Sequence, residues 1–212
     1  MEKSIFNSSH SKKAIQPLRY LSRAEARAIE KELLEEFRFG PQQLIEIWGH
    51  ACAMAIAKEY EPTIFYPKRS SNPLYRDFTT QCEKMDIPFL SYLPTEVQLI
   101  SDAYNLVVDA ILGVEASLGE LLEPYCTILA TLKQIQVPLI SLDVPSGWDA
   151  ETGSSDGISP DVLVSLAAPK QCATRFMGKH HLVAGRFLPY DIQKKFELNM
   201  PEYPGTECVI SL

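Results

Sequence analysis

The chain has no two cysteines close together, no apolar stretch long enough to span a membrane, and fewer basic than acidic residues. Each absence closes off a class of protein. Its five cysteines, Cys52, Cys82, Cys126, Cys172 and Cys208, are scattered and odd in number. Their spacing excludes a tetrahedral zinc set, the odd count speaks against a complete disulfide framework, and the pattern fits reduced thiols in a cytosolic-type protein. None stands beside a histidine or in a glycine-rich turn, which argues against a catalytic thiol. With 20 Lys and Arg against 27 Asp and Glu, the net charge is −7. Nucleic acid is therefore not the expected partner, whereas a protein with basic patches would suit such a surface. No transmembrane segment is expected, because no apolar run approaches the roughly 20 residues of a spanning helix. Residues 1–19 contain Ser and Lys but no apolar core, so they do not form a secretory signal and read as a disordered tail. The expected location is cytoplasmic, or secreted without a recognisable signal peptide.

What is present points to one domain over residues 20–212. A chain of 212 residues with 46% hydrophobic content can build one sizeable core. Its most informative stretch is Ser141-Leu-Asp-Val-Pro-Ser-Gly-Trp-Asp149. A hydrophobic run from Val137 to Leu142 stops at Asp143, and Pro145, Ser146 and Gly147 then force a turn. A carboxylate and a hydroxyl are thus delivered at the end of a buried strand, where ligands bind in open α/β sheets. An ordinary turn is the plain alternative. Around this motif, Ser22 with Glu25 predicts an N-capped helix to about residue 37, and a second helix runs from Gln42 to about Lys58. Helices are also predicted over 72–85 and 119–136. Strands are predicted over 63–66, 87–90, 105–112, 137–142 and 161–166. Short strands alternating with helices call for a parallel sheet covered on both faces, a Rossmann-like three-layer α/β/α sandwich.

The chemistry then belongs where strand ends meet. If the strands carrying Asp109 and Asp143 are parallel neighbours, both carboxylates and Ser146 face one crevice. Such oxygens could hold a hard cation or a ribose hydroxyl, and a carboxylate could act as a general base. For Asp109 a loop hydrogen bond or a helix cap is the structural alternative. His180 and His181, flanked by Lys179 and Arg186, lack a partner at metal-ligand spacing and read as an exposed basic patch.

Several motifs in order carry a resemblance. They are Tyr20-Leu-Ser22, Glu61-Pro-Thr63 with Tyr66-Pro67, Gln81 to Phe89, Phe89 to Ile100, and Val107-Val-Asp109-Ala-Ile111. The series continues through Asp143 to Asp149, Trp148 to Gly153, Pro160-Asp161, Ala168-Pro169-Lys170, Gly185-Arg-Phe187 and Thr206-Glu-Cys-Val209. Over roughly residues 20–212 the chain resembles the YjeF N-terminal domain family, which includes NAD(P)HX epimerase, also called apolipoprotein A-I-binding protein. In the epimerase branch the resemblance implies a Gly-rich loop for the hydrated dinucleotide. It also implies a potassium ion held by an Asn of that loop, by Asp109 and by Ser146, with Asp143 contacting the substrate. In the other branch it implies binding of apolipoprotein A-I on high-density lipoprotein and cholesterol efflux from endothelial cells, linked to angiogenesis and hematopoietic stem-cell emergence. The resemblance also leaves room for a homodimer.

The chain departs from the epimerase pattern twice. The family places a strand, the Gly-rich loop and a helix before Glu61-Pro-Thr63, yet here Ala55-Ile-Ala-Lys58 runs straight into Glu59-Tyr-Glu-Pro62. No glycine occurs between Gly49 and Gly113, so the loop is missing, along with the backbone amides that cradle phosphate. A potassium site would lose its Asn, leaving Asp109 and Ser146 short of the roughly six oxygens a hard cation takes. After Asp109, a family loop with aromatic and basic residues is replaced by a stretch with Glu115, Glu120 and Glu123. Those charges would repel a pyrophosphate. The favoured expectation is a non-catalytic apolipoprotein A-I-binding protein with no cofactor, in which Asp143, Asp109 and Ser146 are vestigial. The alternative is NAD(P)HX epimerase, with potassium, or a degenerate nucleotide-binding relative. Without its first central strand, residues 63–66 must pair directly with 105–112 or leave ladder groups unpaired, at about 1–3 kcal/mol per buried group. That predicts a splice variant or incomplete chain, less stable than the full-length form.

Overall fold

Leu139 and Ile140 are consecutive on one strand and so face opposite ways, and the two clusters they join define the layers. A computed structural model describes residues 17–56, 60–114, 122–154 and 157–212. The expected tail therefore lies outside the described residues up to residue 16. At its end it is tied down, since Asn199 donates to the Pro17 carbonyl and Arg19 bonds the Phe196 carbonyl and Glu25.

Helices α1 (Arg23–Glu35) and α2 (Pro41–Ile56) precede a parallel strand pair, β1 (Ile64–Phe65) and β2 (Phe89–Leu90), joined through α3 (Pro73–Lys84). After α4 (Val97–Ala103) comes the main sheet, made from β3 (Val107–Asp109), β4 (Leu139–Leu142), β5 (Val162–Leu166), β6 (His180–Ala184) and β7 (Ile210–Ser211). They stand in sequence order, parallel except for the antiparallel β7. Helix α5 (Tyr125–Leu132) leads into β4, and α6 (Tyr190–Lys195) follows β6. Ile140, Val164 and Ala184 pack under Ala51, Ala55 and Ile56 of α2. Leu139 packs with Ile128, Leu129 and Leu132 of α5 on the opposite face. This is the expected three-layer Rossmann-like arrangement. A third cluster joins Ile29 and Leu33 of α1 to Leu44 and Ile192. Among the described residues, no helix is long and apolar enough to cross a membrane.

The local signals act as physical chemistry requires. Ser22 and Glu25 form a reciprocal capping box on α1, and the Asn72 side chain caps α3 at Leu74. Several expected elements are shorter. The strand expected over 105–112 stops at Asp109, because Ile111 and Leu112 send their N–H groups to the Asp109 and Ser146 side chains. Of the helix expected over 119–136, residues 119–121 lie outside those described, and among the described residues it begins after Pro124, since the residue before a proline is held away from helical geometry. The acidic stretch after Gly113 falls largely on residues 115–121, outside those described.

Of the two arrangements expected for residues 63–66, direct pairing with β3 does not occur, and the segment pairs with β2 in a sheet of its own. One expectation changes. The His180–His181 doublet is not a simple exposed patch, because it begins β6. His180 is exposed, whereas His181 is half-buried between Tyr20 and Phe176, its Nε2 2.9 Å from Ser165 Oγ. Period-two alternation turns the two rings to opposite sides of the sheet.

Burial pushes the His181 imidazole down from 6.5 to about 4. Between those values the unfolded chain holds a proton that the folded chain does not, so stability falls as pH drops through that window. Urea midpoints measured from pH 7 to pH 4 should decline, with a shallower slope in His181→Gln. An unchanged slope in that variant would show that His181 does not carry the dependence.

Candidate functional site

The register of β3 against β4 sets Asp109 opposite Ser141, and Asp143 follows two residues further along. Asp109 is only 1% exposed. Its Oδ2 accepts from Ser141 Oγ at 2.9 Å and from the Ser146 N–H at 2.8 Å. Its Oδ1 accepts from Ser146 Oγ at 2.5 Å and from the Ile111 N–H at 3.4 Å. Ser146 Oγ in turn accepts from the Leu112 N–H at 2.9 Å. The turn that presents Ser146 is closed by Trp148 N–H to the Pro145 carbonyl at 2.9 Å, with Gly147 at φ +84°. That positive φ at the third position is the reason for glycine in a type II turn.

Asp143 takes another direction. Its backbone is left-handed, at φ +64°, and its N–H donates to the Val164 carbonyl at 2.7 Å. Its Oδ1 accepts from the Leu166 N–H at 3.0 Å and from Lys170 Nζ. Lys170 is 3% exposed and also donates to the Leu166 carbonyl at 2.7 Å. Asp143 thus fastens the end of β4 to the end of β5. Burial, with the Asp143 charge adding to it, raises the Cys52 thiol to about 11 and the Cys172 thiol to about 12, so neither is a thiolate near neutrality.

Asp149, the last residue of the motif, braces the following loop. It pairs with Arg23 at 3.0 Å and accepts from the Glu151 and Thr152 N–H groups. Hydrogen bonds from Thr152 lead the causes that hold its carboxyl below the usual range. Trp148 is buried, and its Nε1–H donates to the Ile158 carbonyl at 2.9 Å.

The structure therefore joins Asp109 to Ser146 directly and turns Asp143 toward Lys170. Lys170 is the site residue that reasoning from sequence missed. Its signal lay in the apolar surroundings of Ala168-Pro169-Lys170, since a buried lysine needs a carboxylate partner. Asp109 and Ser146, the two potassium ligands that the resemblance implies, are turned on each other and on local N–H groups. Two grooves lie elsewhere. One of about 790 Å³ runs between Pro17–Arg19 and α6, and one of about 280 Å³ lies beside Phe65, Tyr92, Leu93, Pro124 and Ile128.

This architecture and motif order match a known family, described as YjeF-related protein N-terminus, over residues 44–172. The chain belongs to that family. A zebrafish (Danio rerio) relative, YjeF N-terminal domain-containing 3, is 59% identical over 235 residues, covering 93% of this chain and 95% of the relative. The human YjeF N-terminal domain-containing protein 3 is 56% identical over 230 residues, covering 90% of this chain and 77% of the relative. The crystal structure of yeast ynu0, YNL200c, superposes with a TM-score of 0.83 at 28% identity, covering 92% of this chain and all of the yeast chain. The zebrafish alignment is longer than the part of this chain it uses. Its 235 positions exceed 93% of 212 residues by nearly forty, so the relative carries that many residues with no counterpart here.

The Asp143–Lys170 pair gives a direct test of this YjeF N-terminal site. Lys170→Met leaves the half-buried Asp143 carboxylate without its partner and should cost about 1–3 kcal/mol. Asp143→Asn keeps a residue that tolerates left-handed backbone. Combined with Lys170→Met, it should recover more than about 1 kcal/mol in a double-mutant cycle followed by urea unfolding. Strictly additive costs would show that the pair is not coupled.

Proposed function

We propose that the chain is a non-catalytic binding protein that engages apolipoprotein A-I on high-density lipoprotein. In this role it promotes cholesterol efflux from endothelial cells and acts through that route in angiogenesis and hematopoietic stem-cell emergence. One observation carries the non-catalytic half of this reading. Asp143, the residue that would meet a substrate, is already held by Lys170 and the Leu166 N–H. Both bonds fall on Oδ1, so a base or ligand grip working through that oxygen would first have to break the ion pair with Lys170. Asp109 and Ser146 are similarly occupied with each other.

Support for the partner comes from the motifs shared with the lipoprotein-binding branch of the family and from the acidic balance of the chain, −7, which suits basic patches on a protein. The competing reading, NAD(P)HX epimerase, requires a phosphate cradle and an open carboxylate. No glycine stands between Gly49 and Gly113 to form a loop of that kind.

Two assays on one preparation test the proposal. Immobilised apolipoprotein A-I, lipid-free and on high-density lipoprotein, should capture the chain saturably, while hydrated NADPH should epimerise no faster than without protein, with or without potassium. Epimerisation that Asp143→Asn abolishes overturns the reading. So does failure to bind either form of the apolipoprotein.

A further inference from the structure

Among the described residues, β1 and β3 each have one edge with no strand paired to it. In β3, the Val107 N–H donates to the Pro138 carbonyl of the β4 side at 3.0 Å. Strand alternation then sends the N–H and C=O of Val108 to the other side, where among the described residues no strand pairs with them. Val108 is 40% exposed, although Val107 beside it packs on an apolar cluster and Asp109 after it is buried. In β1, the Ile64 N–H donates to the Pro88 carbonyl at 2.8 Å, so Phe65 presents its backbone groups away from β2 in the same manner.

The two strands share one apolar cluster. The side chains of Phe65 and Val107 both pack on the cluster around Ile128 and Leu132 of α5. On the opposite face, Leu106 packs with Ala55 and Ile56 at the end of α2. One helix thus covers both sheets from below, another reaches the rim from above, and the ladder between them is broken.

We infer that this break is a strand-acceptor site: it takes one extended segment of about five residues, apolar on both faces, supplied by a second polypeptide. The chemistry of the occupant follows from the walls. Side chains directed at α5 would meet Phe65, Val107 and Ile128, and those directed the other way would meet Leu106 and Ile56. A segment buried on both sides reads as a continuous apolar run rather than an alternating one. The nearly forty residues that the zebrafish relative carries without a counterpart here are long enough to contain such a strand and an element to cover it. The site is separate from Asp143, and its existence does not rest on the apolipoprotein reading.

The test uses the whole chain and overlapping, fluorescently labelled twelve-residue peptides spanning the residues of the zebrafish relative that this chain lacks. One apolar peptide of the set should bind saturably and raise the thermal midpoint of the chain. Val108→Pro removes only an outward N–H, because proline is tolerated where an edge strand donates to nothing. That variant should melt near the parent temperature and bind the peptide at least tenfold more weakly. If Val108→Pro fails to fold, N-methylation of alternate amides in the peptide tests the same pairing and should weaken binding as much. The inference is overturned if no peptide binds, or if a scrambled peptide binds equally. It is also overturned if neither modification weakens binding, or if the chain dimerises through this edge and no peptide displaces the second copy.

Discussion

The carboxylate of Asp109 lies at the end of an outermost strand with 1% exposure, a position where an unsatisfied charge would cost several kcal/mol. It is tolerated because Ser141, Ser146 and the backbone at Ile111 direct hydrogen bonds onto it. Those same bonds decide the local geometry. They end β3 after three residues, align it with β4, and hold the Pro145–Gly147 turn against the strand end. Asp143, Trp148 and Asp149 are then positioned by a turn whose anchor is Asp109. Remove that anchor and the loop carrying the family's most distinctive motif loses its attachment to the sheet.

The break between β1 and β3 shows how a layered fold persists without a continuous ladder. Hydrogen bonds across a sheet are local, but the apolar clusters that cover it are not. Phe65 belongs to the α5 cluster even though its strand bonds only to β2, so packing joins what pairing leaves apart. Burial of such side chains at about 25 cal/mol per Å² outweighs the modest net worth of the few ladder bonds forgone. The cost appears instead as exposed edges, which sheets ordinarily shield. A chain carrying this defect has reason to accept a strand.

The sequence made the layered fold legible because its signals were strong and local. The Ser22–Glu25 box, the apolar face of α2 and the run ending at Asp143 all act over a few residues, and each behaves in the structure as those residues require. Asp109 and Ser146 were also readable as neighbours, since parallel pairing of consecutive strands brings their ends together. Other features depended on partners far along the chain. Nothing near His181 in sequence announces Ser165 or Tyr20, so its burial in β6 was hidden. β7 is two residues long and stands in the sheet only because His181–Val183 offer it an edge. The separation of β1 from β3 has no local signal, since residues 63–66 read equally as paired with β3 or as open-edged.

Lys170 shows how a motif residue can serve as a fastener between strand ends. A working acid–base or ligand-binding site keeps some hydrogen-bonding capacity open, aimed at atoms that arrive with the substrate. In this chain Oδ1 of Asp143 is bonded to Lys170 and the end of β5, and both oxygens of Asp109 to its own turn. The same residues can then be preserved for a different physical reason, as fasteners between strand ends. A left-handed aspartate at φ +64° costs roughly 1 kcal/mol or more, and a buried ion pair with two backbone contacts is a sufficient structural reason to retain it. Identity of residues with an enzyme branch therefore carries no activity by itself. Activity follows from which of their hydrogen bonds remain unfilled.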